Sequence, residues 1–187
     1  MVILINGASC TGKTYLAQQI LQQFSYTYYS IDHLKMGLFR GDPNCGFTPT
    51  DDDEKITKHL APILEGIIRT ALENNQNLTI EGCYFDPASI KRLQNEYPDE
   101  LIALSIVMTD KYCANQFQHN IKKYRCVIEN RQYTEERSLE QFIAENRKVA
   151  DFSHTNGFHV FEVDKDYNST VEEILNFLKI RVARAGF

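Results

Sequence analysis

Short apolar runs alternate with longer segments of helical periodicity along this chain of 187 residues. The apolar runs predict five buried strands, which lie at Val2–Ile5, Tyr26–Ile31, Leu78–Ile80, Leu101–Met108 and Phe158–Val163. Helical segments fall between the strands, and this order predicts an α/β fold with a five-stranded parallel sheet covered by helices on both faces. In such a sheet, a ligand binds outside the carboxyl ends of the strands.

Capping residues predict where the helices begin. The predicted starts are Lys13, Thr50–Asp53, Asp86–Pro87, Thr134–Glu136 and Ser169–Glu172. The long helix that starts before Lys55 is expected to bend or divide near Pro62, because proline removes a helical hydrogen bond. Asp32 is a candidate N-cap for a short helix at His33–Gly37, and the glycines and prolines of residues 38–50 predict a loop after it.

Composition and charge restrict the function classes. Hydrophobic residues make up 43% of the chain and charged residues 24%, so residues 1–187 are expected to form a single globular domain. The formal net charge of −5 disfavours a nucleic-acid partner, because neutralising phosphates requires clustered Lys and Arg. No apolar run approaches the ~20 residues of a membrane span, and the N-terminal run is too short for a signal peptide. We therefore expect a cytoplasmic protein without a membrane partner, with reduced thiols at Cys10, Cys45, Cys83, Cys113 and Cys126.

The most specific motif follows the first predicted strand. It reads Gly7-Ala8-Ser9-Cys10-Thr11-Gly12-Lys13-Thr14 and matches the Walker A pattern G-x-x-x-x-G-K-[ST] at every fixed position. Its glycines permit a backbone that turns several N–H groups toward a phosphate, and the following helix N-terminus favours the same anion. The Lys13 ammonium is suited to the terminal phosphates of ATP, and the Thr14 hydroxyl is suited to Mg²⁺.

With this loop, the chain resembles the P-loop kinases of the nucleoside-monophosphate-kinase-like group, from Val2 to about Leu178. It is most similar to the adenylate-kinase-like branch that contains chloramphenicol phosphotransferase and the zeta-toxin-type kinases. The resemblance implies a three-layer P-loop NTPase fold with a small helical lid, which we place at residues 110–150. It also implies transfer of the γ-phosphoryl group of ATP to a small-molecule acceptor.

Two acidic residues follow predicted strands at the edge where this acceptor would bind. In the resembling branch, an Asp at the end of strand two faces the acceptor hydroxyl; here it is Asp32, which is suited to accept a proton or to contact Mg²⁺ through water. Glu81, after strand three, is a candidate ligand of Mg²⁺ or of the acceptor. Arg40, in the predicted loop, is a further acceptor candidate. Aromatic candidates for the acceptor pocket are Tyr28, Tyr29, Phe39, Phe47, Tyr84 and Phe85.

A basic segment lies in the predicted lid. In the resembling kinases, lid arginines stabilise the negative charge that develops during phosphoryl transfer. Arg125 and Arg131 are the leading candidates for that role. Arg137 is a lesser candidate, because it falls within a predicted helix where Glu136 or Glu140 is expected to pair with it. A solvent-exposed basic surface is the alternative explanation for the whole segment.

The sequence thus favours an ATP-dependent phosphotransferase that acts with Mg²⁺ on a small-molecule hydroxyl, as a monomer or homodimer. The alternative enzyme is a nucleoside or nucleotide kinase. Arginines favour binding of an acceptor phosphate, and Arg40 is the only arginine between Lys35 and Asp53, which disfavours a nucleoside monophosphate as the acceptor. A switch module that binds ATP or GTP is the alternative from another class. The GTPase motif N-K-x-D is missing after strand four, where the chain reads Val107-Met108-Thr109-Asp110-Lys111-Tyr112.

Overall fold

A computed structural model describes residues 1–124 and 137–185. Five strands form one parallel sheet in the order β2-β3-β1-β4-β5. They are β1 (Val2–Asn6), β2 (Thr27–Ser30), β3 (Leu78–Gly82), β4 (Leu101–Met108) and β5 (His159–Val163). The predicted five-stranded parallel sheet of an α/β fold is confirmed.

Helices connect the strands and cover the sheet. They are α1 (Lys13–Phe24), α2 (Ile31–Gly41), α3 (Asp53–Glu73), α4 (Pro87–Glu96), α5 (Asp110–Gln116), a π-helical turn (Phe117–Ile121), α6 (Lys122–Tyr124), α7 (Leu139–Thr155) and α8 (Tyr167–Ala185). Among the helices that the structure describes, none is both long enough and apolar enough to span a membrane.

The core lies on both faces of the sheet because side chains alternate along each strand. In β1, Ile3 and Ile5 pack on one face with α1 and α8, whereas Val2 and Leu4 pack on the other with α3 and α4. All eight residues of β4 are buried. A strand covered on both faces is a continuous apolar run, which is why β4 was predicted with its exact bounds.

Helix α2 corrects three expectations about its segment. It begins at Ile31, directly after β2, so Asp32 lies in its first turn and Ser30 occupies the N-cap position. The predicted cap role of Asp32 is therefore wrong. The helix also continues to Gly41, so Arg40 lies in its last turn and not in a loop. Gly37 has open space around it and does not end the helix, which ends at Gly41.

Three other helices differ from the sequence-based predictions. Helix α3 runs undivided through Pro62. Helix α7 begins after Ser138, whose side chain and that of Gln141 form a capping box, and it continues to Thr155 instead of ending near residue 149. Helix α8 begins at Tyr167, before the predicted capping box, because the Asp166 carboxylate accepts hydrogen bonds from the backbone and side chain of Ser169.

The N-cap of α4 carries a stability prediction. The Asp86 carboxylate accepts a hydrogen bond from the Ser89 backbone N–H at 2.8 Å. Alanine cannot accept this hydrogen bond, so the Ser89 N–H would lose its partner. Asp86→Ala is therefore expected to lower the free energy of unfolding by about 1 kcal/mol, as measured by urea denaturation. Asp86→Asn retains an acceptor oxygen and is expected to cost less than half as much. Equal losses in the two variants would contradict the capping role.

Candidate active site

The phosphate loop occupies the turn between β1 and α1. Cys10 and Gly12 both have left-handed backbone conformations, with φ of 65° and 81°. Such residues turn successive N–H groups toward one side of the loop, as an anion-binding concavity requires. Lys13 Nζ donates to the Ala8 carbonyl oxygen at 2.8 Å, and Thr11 Oγ1 donates to the same oxygen at 2.8 Å. The loop therefore closes on itself, with the Lys13 ammonium folded over it.

Gly7 is required by close packing at the start of this loop. A Cβ atom on Gly7 would lie 2.6 Å from Thr11 Oγ1 and 2.9 Å from the Ile106 carbonyl oxygen. The second contact is with strand backbone, which cannot move aside cheaply. A side chain at this position would therefore displace the loop from β4.

Tyr167, at the start of α8, packs on the other end of the loop. Its hydroxyl donates to the Gly12 carbonyl oxygen at 2.9 Å, and its ring lies 6.0 Å from that of Tyr15. Burial raises the pKa of Tyr167 above its usual value, so the hydroxyl remains a donor. A Cβ on Gly12 would meet the Tyr167 hydroxyl oxygen at 2.0 Å. Gly12 is thus needed for both its backbone conformation and this contact.

Buried polar side chains support the loop from below. Asn6, the last residue of β1, is 3% exposed and donates through Nδ2 to Ser153 Oγ of α7 at 3.4 Å. Ser153 Oγ lies 2.7 Å from Ser105 Oγ in β4. Asn146, two turns before Ser153 on α7, accepts a hydrogen bond from the Met108 backbone N–H at 2.9 Å. These bonds tie α7 to the strand ends beside the phosphate loop.

Thr14 and Glu81 meet at the junction of β1, β3 and α1. Thr14 Oγ1 donates to Glu81 Oε1 at 3.2 Å, and Glu81 is 3% exposed. The sheet register places Glu81 beside Ile5, one residue before the end of β1. The structure therefore brings together the two residues that the sequence predicted as Mg²⁺ ligands.

The donor atoms at this position suit a magnesium ion. A hydroxyl and a carboxylate are hard oxygen ligands, and Mg²⁺ in phosphate-transferring proteins takes one or two such side chains and completes its shell with phosphates and water. Within residues 1–124 and 137–185, no three His, Cys, Asp or Glu side chains gather into an all-protein metal site. The Thr14–Glu81 pair fits a metal that arrives with a nucleotide.

Asp32, Lys35 and Tyr84 form a second polar group, which we call the α2–β3 cluster. Lys35 Nζ lies 2.8 Å from Asp32 Oδ1 and donates to the Tyr84 hydroxyl oxygen at 2.9 Å. Burial alone would lower the pKa of Lys35, but hydrogen bonds from the ammonium to Asp32 and Tyr84 hold it above its usual value. Burial raises the pKa of Tyr84 to about 12. At neutral pH, Lys35 is therefore charged and Tyr84 is protonated.

Cys83 connects this cluster to the phosphate loop. It is exposed, and it follows the end of β3 between Glu81 and Tyr84. Surrounding protein raises the pKa of its thiol to about 11, and charges on Lys13, Asp32, Asp53 and Lys35 act on it as well. Because β3 lies between β1 and β2 in the sheet, this thiol lies between the phosphate loop, which follows β1, and α2, which follows β2. We call the region between them the cleft, with the phosphate loop as one wall and the α2–β3 cluster as the other.

Arg137 lies beside the phosphate loop, immediately before α7. Its guanidinium forms an ion pair with Glu145, lies 3.7 Å from Cys10 Sγ and lies 5.8 Å from the ring centroid of Phe142. Helix α7 begins after Arg137, so the prediction that this residue lies within a helix is wrong, and its ion pair is with Glu145 instead of the predicted Glu140. The other predicted partner, Glu136, lies outside the described residues. A second positive charge therefore adjoins the loop that carries Lys13.

The structure brings most predicted site residues to one edge of the sheet. Lys13, Thr14, Glu81 and Asp32 all lie at the carboxyl ends of β1, β2 and β3. Arg40 does not join them: it is exposed in the last turn of α2, eight residues beyond Asp32 and therefore about 12 Å farther along the helix. The predicted lid arginines Arg125 and Arg131 lie outside the described residues.

The contacts of two residues at this edge, Lys35 and Tyr167, were not predicted from the sequence. The spacing of Lys35 three residues after Asp32 places both on one face of α2 and would have predicted their pairing. Tyr167 reaches the loop across 155 residues of chain, and no local pattern indicates such a contact.

Comparison with solved structures identifies the fold. The gluconokinase of Sinorhizobium meliloti 1021 matches with a TM-score of 0.57 and 13% identity, over 98% of this chain and 91% of that chain. The shikimate kinase of Bacteroides thetaiotaomicron matches with a TM-score of 0.54 and 12% identity, over 96% and 98% of the two chains. The YorR protein of Bacillus subtilis, solved in complex with phosphorylated GDP, matches with a TM-score of 0.51 and 12% identity, over 96% of each chain. The chain has the P-loop kinase fold.

This likeness establishes the predicted P-loop NTPase fold over nearly the whole length of the chain. At identities of 12–13% it does not extend to the activity or substrate of any one neighbour. The sequence matches no known protein-family model and no curated protein sequence. The chloramphenicol phosphotransferase branch therefore stays a prediction from the motifs.

Proposed function

We propose that this protein is a kinase that transfers the γ-phosphoryl group of ATP to a hydroxyl group of a small molecule. The observation that carries the proposal is the placement of Lys13 and Asp32 after the carboxyl ends of β1 and β2, on either side of β3. One wall suits the phosphates of a nucleotide, and the other carries a carboxylate suited to accept a proton. Phosphoryl transfer between two small molecules requires both functions in one site.

Each wall has a defined role in this reaction. The amides of the phosphate loop and the Lys13 ammonium bind the β- and γ-phosphates, and Arg137 adds positive charge where negative charge develops on the γ-phosphoryl oxygens. Asp32 accepts the hydroxyl proton as the acceptor oxygen bonds to the γ-phosphorus. The bond from that phosphorus to the β–γ bridging oxygen breaks, and ADP leaves. Lys35 holds the Asp32 carboxylate through their 2.8 Å contact.

Thr14 and Glu81 are the residues that would hold Mg²⁺ beside these phosphates. When bound, the ion supplies positive charge that neutralises the terminal phosphate oxygens. Glu81 is buried and bonded to Thr14, so its carboxylate is fixed before any ligand arrives. A preorganised ligand of this kind requires no side-chain ordering on binding.

The Glu81 role carries a prediction of its own. Glu81→Gln retains the size of the side chain and removes its charge. We expect the Mg²⁺ concentration for half-maximal transfer to rise about 10- to 100-fold, as measured in a magnesium titration at saturating ATP. The matched control is Asp99→Asn, which removes an exposed carboxylate just before β4, at the amino ends of the strands. Its magnesium dependence is expected to be unchanged. An unchanged magnesium requirement in Glu81→Gln would assign Glu81 a purely structural role.

Transfer of labelled γ-phosphate to a library of small hydroxyl compounds, with Lys13→Ala as the control, tests the proposed function. The expected result is a labelled small-molecule product that depends on Lys13. A nucleoside or nucleotide kinase would label only those members of the library. A nucleotide switch would instead bind and hydrolyse ATP without labelling any acceptor, and its turnover would respond to a macromolecule. That last result would overturn the proposal.

A further inference from the structure

The α2–β3 cluster has little capacity to bind an anion. Lys35 is its positive residue, and the ammonium already donates to Asp32 and to Tyr84, over whose ring it also lies at 4.8 Å from the centroid. The Lys35 side chain is 12% exposed, whereas the Asp32 side chain is 51% exposed. The Asp32 carboxylate is therefore open to solvent, whereas its counter-ion is largely buried.

The α2–β3 cluster carries no excess positive charge. Its charged members are Asp32 and Lys35, and their 2.8 Å contact pairs one carboxylate with one ammonium. An acceptor that carried a phosphate or carboxylate would be repelled by the exposed Asp32 carboxylate, because placing like charges side by side is costly.

We infer that the acceptor is an alcohol without an anionic group, uncharged or bearing an amine, and that Lys35 positions the Asp32 carboxylate instead of binding an acceptor anion. The inference rests on the proposed function and adds the chemical class of the acceptor. It separates the α2–β3 cluster, whose ammonium is already paired, from a phosphate site for nucleoside monophosphates, which requires unpaired cations.

Matched acceptor pairs test the charge selection. Labelled γ-phosphate transfer would be measured for sorbitol against gluconate, for ethanolamine against glycolate, and for adenosine against AMP. We expect kcat/KM to be about 10-fold or more higher for the member without an anionic group in each pair that reacts. Preference for the anionic members would overturn the inference and leave the proposed function intact. Nucleotide binding without transfer to any member would overturn the proposed function, and the inference with it.

Substitutions of Lys35 test its positioning role. Lys35→Met is expected to lower kcat about 10- to 100-fold while the KM for an uncharged acceptor changes less than about 3-fold, and Lys35→Arg is expected to recover part of kcat. The control Lys91→Met removes an exposed ammonium from α4 and is expected to change neither parameter. A large rise in KM, confined to anionic acceptors, would show that Lys35 binds the acceptor and would overturn the inference.

Discussion

Replacing Lys13 with alanine is expected to lower the rate of phosphoryl transfer by about 10²- to 10³-fold. The Lys13 ammonium is the positive charge fixed on the phosphate loop itself, where it donates to the Ala8 carbonyl oxygen at 2.8 Å. A preplaced charge of this kind stabilises the transition state without reorganisation. The affinity for ATP is expected to fall as well, because the same charge contacts the bound phosphates. Steady-state kinetics and calorimetric titration with ATP measure the two effects.

The matched control for this substitution is Lys91→Ala, which removes an exposed lysine from α4. Both variants are expected to unfold at the same temperature as the native protein, since neither lysine belongs to the apolar core. Retention of more than about a tenth of the native transfer rate in Lys13→Ala would contradict the assignment of the phosphate loop.

Replacing Asp32 with asparagine is expected to lower kcat by about 10²- to 10⁴-fold with ATP affinity nearly unchanged. Asparagine has the same size and can still accept the hydrogen bond from Lys35, but it cannot take the proton of an acceptor hydroxyl at neutral pH. Asp32 belongs to the wall opposite the phosphate loop, so the nucleotide site is expected to remain intact. Single-turnover transfer and calorimetric titration with ATP separate the two properties.

Asp99→Asn is the control for the charge change, because Asp99 is exposed at the opposite edge of the sheet. Parallel losses of ATP affinity and transfer in Asp32→Asn would assign Asp32 to the metal or the fold. An unchanged kcat would leave the reaction without a proton acceptor in the α2–β3 cluster, and the proposed mechanism would have to be abandoned.

Much of the fold could be predicted because its signals are local. The apolar run Leu101–Met108 gave the bounds of β4, and Asp86 with Pro87 gave the start of α4. The phosphate-loop motif was equally predictable, because all of its residues are consecutive in the chain. Errors occurred where tertiary packing overrides local signals. Helix α2 continues through Gly37 although that residue has low helix propensity.

Residue order alone predicted the α/β class, the phosphate-loop motif, and the placement of Thr14, Glu81 and Asp32 at one edge of a parallel sheet. Each of these follows from residue order, because the end of a strand in a parallel sheet fixes the edge on which the next residues lie. The long-range contacts of the site depend on the packed structure: Tyr84 with Lys35, Tyr167 with Gly12, and Arg137 with Cys10. These contacts join residues 49, 155 and 127 positions apart, and packing of the intervening helices, which no local pattern encodes, sets their distances.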